Sequence, residues 1–141
     1  MIFLTSNSNV DYMDQVMTHT LGKDWKKYFD LCVANARKPL FYRAEHPFYE
    51  YNPKVETRKG NKIKLERIQK LVDKDIKMVI EGNALVLTEY FSRYIEKPDV
   101  KIAYFGDNAL SDIHASNAFN ERLEELEWPA RWDSIAVIEE F

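Results

Sequence analysis

Three short segments carry side chains able to do chemistry. The first is YFGDNALSDI, Tyr104 to Ile113, where an apolar run ends at Gly106 and Asp107 follows at once. Open α/β sheets meet their ligands at the carboxyl ends of strands, which is where Asp107 falls. Asp112 comes five residues later, on the first turn of the next helix or in the loop before it. Two carboxylates so near each other make a half-site for Mg2+, a cation that takes oxygen ligands. Gly106 permits a tight turn out of the strand. A helix-capping aspartate beside a surface aspartate is the plainer reading of the same residues.

The second segment is FLTSNSN, Phe3 to Asn9, an apolar start opening into small polar residues. The Ser6 hydroxyl, the Asn7 amide and nearby backbone N–H groups could hold a phosphate, although such a turn is also ordinary helix capping. The third is ANARKPL, Ala34 to Leu40, in which Lys38 stands just past the run LCVA and before Pro39. A lysine there could neutralise a phosphoryl group or simply be solvated, and Pro39 should end regular structure.

These segments need elements to position them. Apolar runs recur at Ile2–Leu4, Leu31–Ala34, Met78–Ile80, Ile102–Phe105 and Ile135–Ile138. Their near-continuous character predicts strands of a parallel sheet buried on both faces. Helical spacing lies between them, over Tyr12–Leu21, Glu66–Val72 and Asn83–Ile95. In the last, Asn83 is the expected cap, and Leu85, Leu87, Phe91, Tyr94 and Ile95 form the apolar side. Strand–helix alternation of this kind predicts an α/β fold, a mainly parallel sheet sandwiched by helices, over a single domain of residues 1–141. Between Arg43 and Leu65 two β-favouring pieces flank Arg58-Lys59-Gly60-Asn61 and predict an inserted hairpin with Gly60 at positive φ.

Composition narrows the function classes. Twenty basic residues face 23 acidic ones, for a net charge of −3, which argues against a nucleic-acid partner. Lys54 to Lys77 does hold nine basic residues against four acidic ones, but without interleaved aromatics it reads as a solvated face. One cysteine, Cys32, allows no internal disulfide and suits a reducing compartment. No targeting or membrane segment is evident, so a cytoplasmic protein without membrane contact is expected. Met1 to Leu4 reads as a core strand with no lead-in, as if the chain were a piece of something longer.

A hydroxyl-bearing loop, a lysine and an aspartate pair thus each follow an apolar strand, in that order. The order resembles the second, third and fourth motifs of haloacid-dehalogenase-like phosphohydrolases, and most closely the cytosolic 5′-nucleotidase group with its 5′-nucleotidase domain-containing relatives. Ser6-Asn7-Ser8, Ala36-Arg37-Lys38-Pro39 and Tyr104 to Ile113 carry the likeness, which extends from Ile2 to about Ile138. It implies that Ser6 and Asn7 contact the transferring phosphoryl group and that Lys38 holds the charge of nucleophile and phosphate together. Asp107 would ligate Mg2+, and Asp112 would ligate it through water or orient Lys38. The substrate implied is a nucleoside monophosphate or other small phosphomonoester.

The family's first motif, an apolar strand ending in D-x-D, has no counterpart here. The only D-x-D, Asp73-Lys74-Asp75, follows a helical pattern and reads as a solvated helix end. The chain alone is therefore expected to be inactive, since no aspartyl-phosphate can form without the nucleophile. A non-catalytic interaction module derived from the same fold is the alternative. The resemblance also implies a central strand between those of Ile2–Leu4 and Ile102–Phe105. Without it, the two close up, or a homodimer partner or a preceding segment completes the sheet.

Overall fold

The computed structural model describes residues 1–139. The fold is α/β, with a mixed, mostly parallel sheet flanked by helices, and the chain divides into two compact units. One comprises Met1–Arg37 and Glu45–Asn83, the other Lys38–Ala44 and the chain from Ala84 onward.

The first unit holds strands β1 (Phe3–Thr5), β2 (Leu31–Ala34), β3 (Phe48–Tyr51), β4 (Lys59–Ile63) and β5 (Met78–Glu81), ordered β1-β2-β5-β3-β4. β1, β2 and β5 run parallel, with Leu4 opposite Cys32 and Cys32 opposite Met78. All four residues of β2 are buried, as expected for a strand covered on both faces. Helix α1 (Val10–Leu21) starts at Asn9, whose side chain accepts the Tyr12 N–H at 2.9 Å, and stops at Gly22, φ 90°. These are a conventional N-cap and a glycine stop. Val10 and Met13 of α1 pack with Trp25 onto Cys32, Ala34, Met78 and Ile80. Helix α3 (Leu65–Val72) buries Ile68 and Leu71, and Asp73 to Asp75 beyond it are exposed.

The hairpin differs from expectation. β3 and β4 are antiparallel and join the main sheet through β3 and β5. Gly60 lies within β4, and the positive φ belongs to Arg58, at 58°. What Gly60 supplies is room, since a Cβ would lie 3.2 Å from both the Asn52 Cβ and the Glu50 carbonyl oxygen.

The second unit is built on β6 (Lys101–Gly106) and β7 (Arg131–Ala136), paired in parallel with Ile102 opposite Trp132. Two readings are corrected here. β6 alternates, burying Ile102 and Tyr104 while Lys101, Ala103 and Phe105 are exposed, so it is covered on one face only. The last strand starts earlier than expected, with the fully buried Trp132 as its second residue, leaving Val137 and Ile138 beyond its end and exposed. The hydrophobic run Ile135–Ile138 is not what is buried; one large aromatic side chain, Trp132, is. Helix α5 (Ala115–Glu125) packs on β7, and Asn120 both accepts from the Trp132 N–H and donates to its carbonyl, each at 2.8 Å. Helix α4 (Ala84–Ile95) buries Leu87, Thr88, Tyr90 and Phe91, whereas Tyr94 and Ile95 are exposed. Asn83 directly precedes it and donates its side-chain amide to the His46 carbonyl at 2.8 Å.

Among the described residues, β1 pairs with β2 alone and β6 with β7 alone. No helix of the described residues is long and apolar enough to cross a membrane.

Candidate active site

Pro39 does not end structure, as its type suggested. It precedes a single helical turn, α2 (Leu40–Arg43), and the Lys38–Pro39 peptide bond is cis. A fixed φ and a missing N–H suit proline to a helix start. Phe41 and Tyr42 of this turn are buried, and the Tyr42 ring lies 6.1 Å from Tyr104, 5.6 Å from Trp132 and 6.2 Å from Phe119. This aromatic packing anchors the short turn and, with it, Lys38 just ahead of it.

Lys38 meets Asp112. Its Nζ donates to Asp112 Oδ1 at 2.6 Å and to the Tyr104 hydroxyl at 2.8 Å, and the Tyr104 hydroxyl donates to the same Oδ1 at 3.2 Å. The side chains of Lys38 and Asp112 are only 10% and 6% exposed. Burying two charges is costly unless both are paired and hydrogen-bonded, and here both are. Burial works to lower the Lys38 pKa, but the Tyr104 and Asp112 partners outweigh it and leave the pKa raised. Burial raises the Tyr104 pKa, with Lys38 opposing. At neutral pH the cluster therefore holds an ammonium and a neutral phenol.

The backbone explains why Asp112 faces inward. A π-helical turn spans Ala109–His114, capped by Asn108, which accepts from the Leu110 and Ser111 N–H groups at 3.0 and 2.9 Å. The wider turn brings Asp112 back over the end of β6, where its Oδ2 accepts from the Asn108 N–H at 3.1 Å. Such turns recur at functional positions. Gly106 has a different purpose from the turn expected of it. A Cβ at this position would overlap the Asp112 side chain, so the glycine makes space for the carboxylate.

Asp107 occupies the carboxyl end of β6 and is exposed. Among the described residues no group of three or more His, Cys, Asp or Glu side chains could hold a metal ion. The donor set fits half of a Mg2+ site: Asp107 has an accessible carboxylate, whereas Asp112 Oδ1 is committed to Lys38 and Tyr104. Mg2+ commonly relies on one or two carboxylates completed by waters and phosphate.

In the first unit, the loop after β1 is tied to the loop after β2. The Ser6 N–H donates to the Val33 carbonyl, Asn35 N–H to Ser8 and Ala36 N–H to Ser6, each at 2.9 Å. The Ser8 N–H donates to Ser6 Oγ at 3.1 Å, which fixes the hydroxyl as an acceptor there and leaves its proton to donate elsewhere. Asn7 is exposed at the tip. Asn35 and Arg37, at φ 49° and 61°, turn the chain sharply ahead of Lys38.

Sequence reasoning missed Tyr104 as a site residue. Inside IAYF it reads as one more strand hydrophobe; the signal was its polar tip on the buried face of a strand ending at the motif aspartate.

Comparison with known proteins agrees with the motifs. The profile described as the 5′ nucleotidase family matches residues 1–141. Human 5′-nucleotidase domain-containing protein 1 is 28% identical over 142 aligned positions, 99% of this chain and 27% of that protein. Human 5′-nucleotidase domain-containing protein 2 is 30% identical over 113 positions, 79% of this chain and 19% of that protein. The match thus spans between about a fifth and about a quarter of the length of these relatives.

Proposed function

The chain belongs to the 5′ nucleotidase family, and we propose that it supplies the phosphate-binding and metal-binding residues of a Mg2+-dependent phosphomonoester hydrolase but has no turnover alone. The observation that carries this reading is the buried Lys38–Asp112 pair, held by Tyr104. A structural ion pair gains little from such burial, whereas a fixed, permanently charged ammonium suits stabilisation of phosphoryl charge. In this reading Ser6 and Asn7 hydrogen-bond phosphoryl oxygens, Lys38 neutralises their charge, and Asp112 orients Lys38. Asp107 would ligate Mg2+ directly and Asp112 through water; the ion, when bound, supplies charge neutralisation and polarises the phosphoryl group.

The substrate class proposed is a nucleoside monophosphate or similar small phosphomonoester, in the cytoplasm. Asp73-Lys74-Asp75, exposed beyond α3, is no nucleophile. Purified chain with Mg2+ should not turn over nucleoside monophosphates or p-nitrophenyl phosphate. Turnover abolished by Asp73→Asn would refute the assignment.

A further strand, from a preceding segment or a second copy, is proposed to complete an open sheet edge, because unpaired apolar edges recruit strands. Light scattering showing only monomer at micromolar concentration would count against the second copy.

A further inference from the structure

At the other end of the first unit's sheet lies a cavity of about 410 Å3. It sits at the amino ends of the parallel strands, since Ile76 and Lys77 lead into β5 and Met78 begins it. β3 runs antiparallel to β5 with Glu50 opposite Val79, so Tyr51, the last residue of β3, arrives at this same end. Ser6 and Asn35 follow the carboxyl ends of β1 and β2, so the cavity is remote from the family's motif loop in this unit.

Four lysines line it, Lys23, Lys26, Lys27 and Lys77, against two carboxylates, Asp24 and Asp75. Lys77 Nζ donates to the Lys26 carbonyl at 3.3 Å and lies 3.5 Å from Asp75. Lys26 is 3.7 Å from Asp14 and sits over the Trp25 ring. Lys23 and Lys27 pair with no carboxylate among the described residues. The platform is firm, because Trp25 is fully buried and its indole N–H donates to Asp14 at 2.8 Å. The fields of Lys26 and Lys77 reach the buried Cys32 thiol, where they oppose the upward effect of burial.

We propose that this cavity binds an oligophosphate chain, a di- or triphosphate group. The volume lies within the roughly 300–1,000 Å3 of small-molecule sites. Four ammonium groups against two carboxylates leave the lining positive, and their spread over two segments, Lys23 to Lys27 and Lys77, suits several phosphates in a row. The half-buried Tyr51 ring, which also lines the cavity, offers an apolar surface to whatever the chain is attached to. This site stands independently of the function proposed above.

Calorimetry of the intact chain with sodium tripolyphosphate tests it, and a Kd on the order of 10–100 μM at low salt is expected. Lys27→Gln with Lys77→Gln should weaken binding about tenfold or more, with circular dichroism confirming the fold. Lys23→Gln with Lys27→Gln, two side chains outside the core, provides a second pair if Lys77 matters for folding. Lys62→Gln with Lys64→Gln, in β4 and just beyond its end, should change Kd less than about twofold. A nucleoside triphosphate tighter than tripolyphosphate would identify a nucleotide tail as the ligand, and equal affinity a free oligophosphate. No heat at about 1 mM tripolyphosphate, equal binding of orthophosphate, an equal loss in the β4 variant, or tighter binding of a single-stranded oligonucleotide would each overturn the proposal.

Discussion

β2 and β6 both precede a family motif, yet they are buried in opposite ways. β2 is apolar and covered throughout, with Cys32 at zero exposure, whereas β6 shows one face to solvent and carries Tyr104 on the other. The first unit closes over its parallel strands with hydrophobic side chains. The second packs an ammonium, a carboxylate and a phenol against aromatic rings. A core of the first kind tolerates loss of any one group in proportion to its area; one of the second kind fails when a partner is removed and a charge is stranded.

The largest expected effect tests that contrast directly. Asp112→Ala should destabilise the chain by about 3–5 kcal/mol in denaturant melts, because it leaves Lys38 buried and unpaired. Adding Lys38→Met to Asp112→Ala should recover much of the loss, since an apolar pair of similar volume replaces the charges. If the double variant is no more stable than Asp112→Ala, the charge argument is wrong and packing alone explains the cost. In the first unit, Leu31→Ala should cost about 2–5 kcal/mol through transfer and cavity terms, with no second substitution of polar character able to rescue it.

Gly106→Ala comes next, at about 1–3 kcal/mol, because the new Cβ must displace the Asp112 side chain. It should also move the Tyr104 hydroxyl environment, readable as a tyrosine side-chain NMR shift, while Gly60→Ala leaves that signal unmoved.

Alkaline pH separates the units most finely. Burial lifts the Cys32 thiol from its ordinary 9.0 to about 12. A raised folded-state pKa stabilises fully below the unfolded value and is lost as pH rises through the folded one, so this contribution fades between pH 9 and about 12. Lys38 and Tyr104 are also raised, from 10.5 and 10.0, and their contributions persist until pH passes those values. Between pH 9 and 10 the wild type should therefore lose stability that Cys32→Ala does not. Parallel curves for the two proteins would show that the thiol is not buried as described.

Much of the fold was legible because it rests on long apolar runs. LCVA marks β2 to the residue, and MVI marks β5 within one. The misplacements occurred where a single contact outranks a pattern. Trp132 pins β7 by an Asn120 clamp, and Arg58 takes the left-handed conformation that glycine was expected to take. The order of Ser6, Lys38 and Asp107 was visible because each follows such a run. Tyr104, the π-helical turn and the role of Gly106 were not, since they depend on where Asp112 points.

One consequence of the Lys38 clamp concerns entropy. A free lysine samples many rotamers, and fixing it costs up to about 2 kcal/mol. Here Tyr104 and Asp112 fix its ammonium in advance, so that cost falls on folding and is absent when an anion arrives. If Lys38 serves the phosphoryl group proposed for it, that group would meet a cation already at rest, and removing the Tyr104 hydroxyl would return the disorder to the binding step.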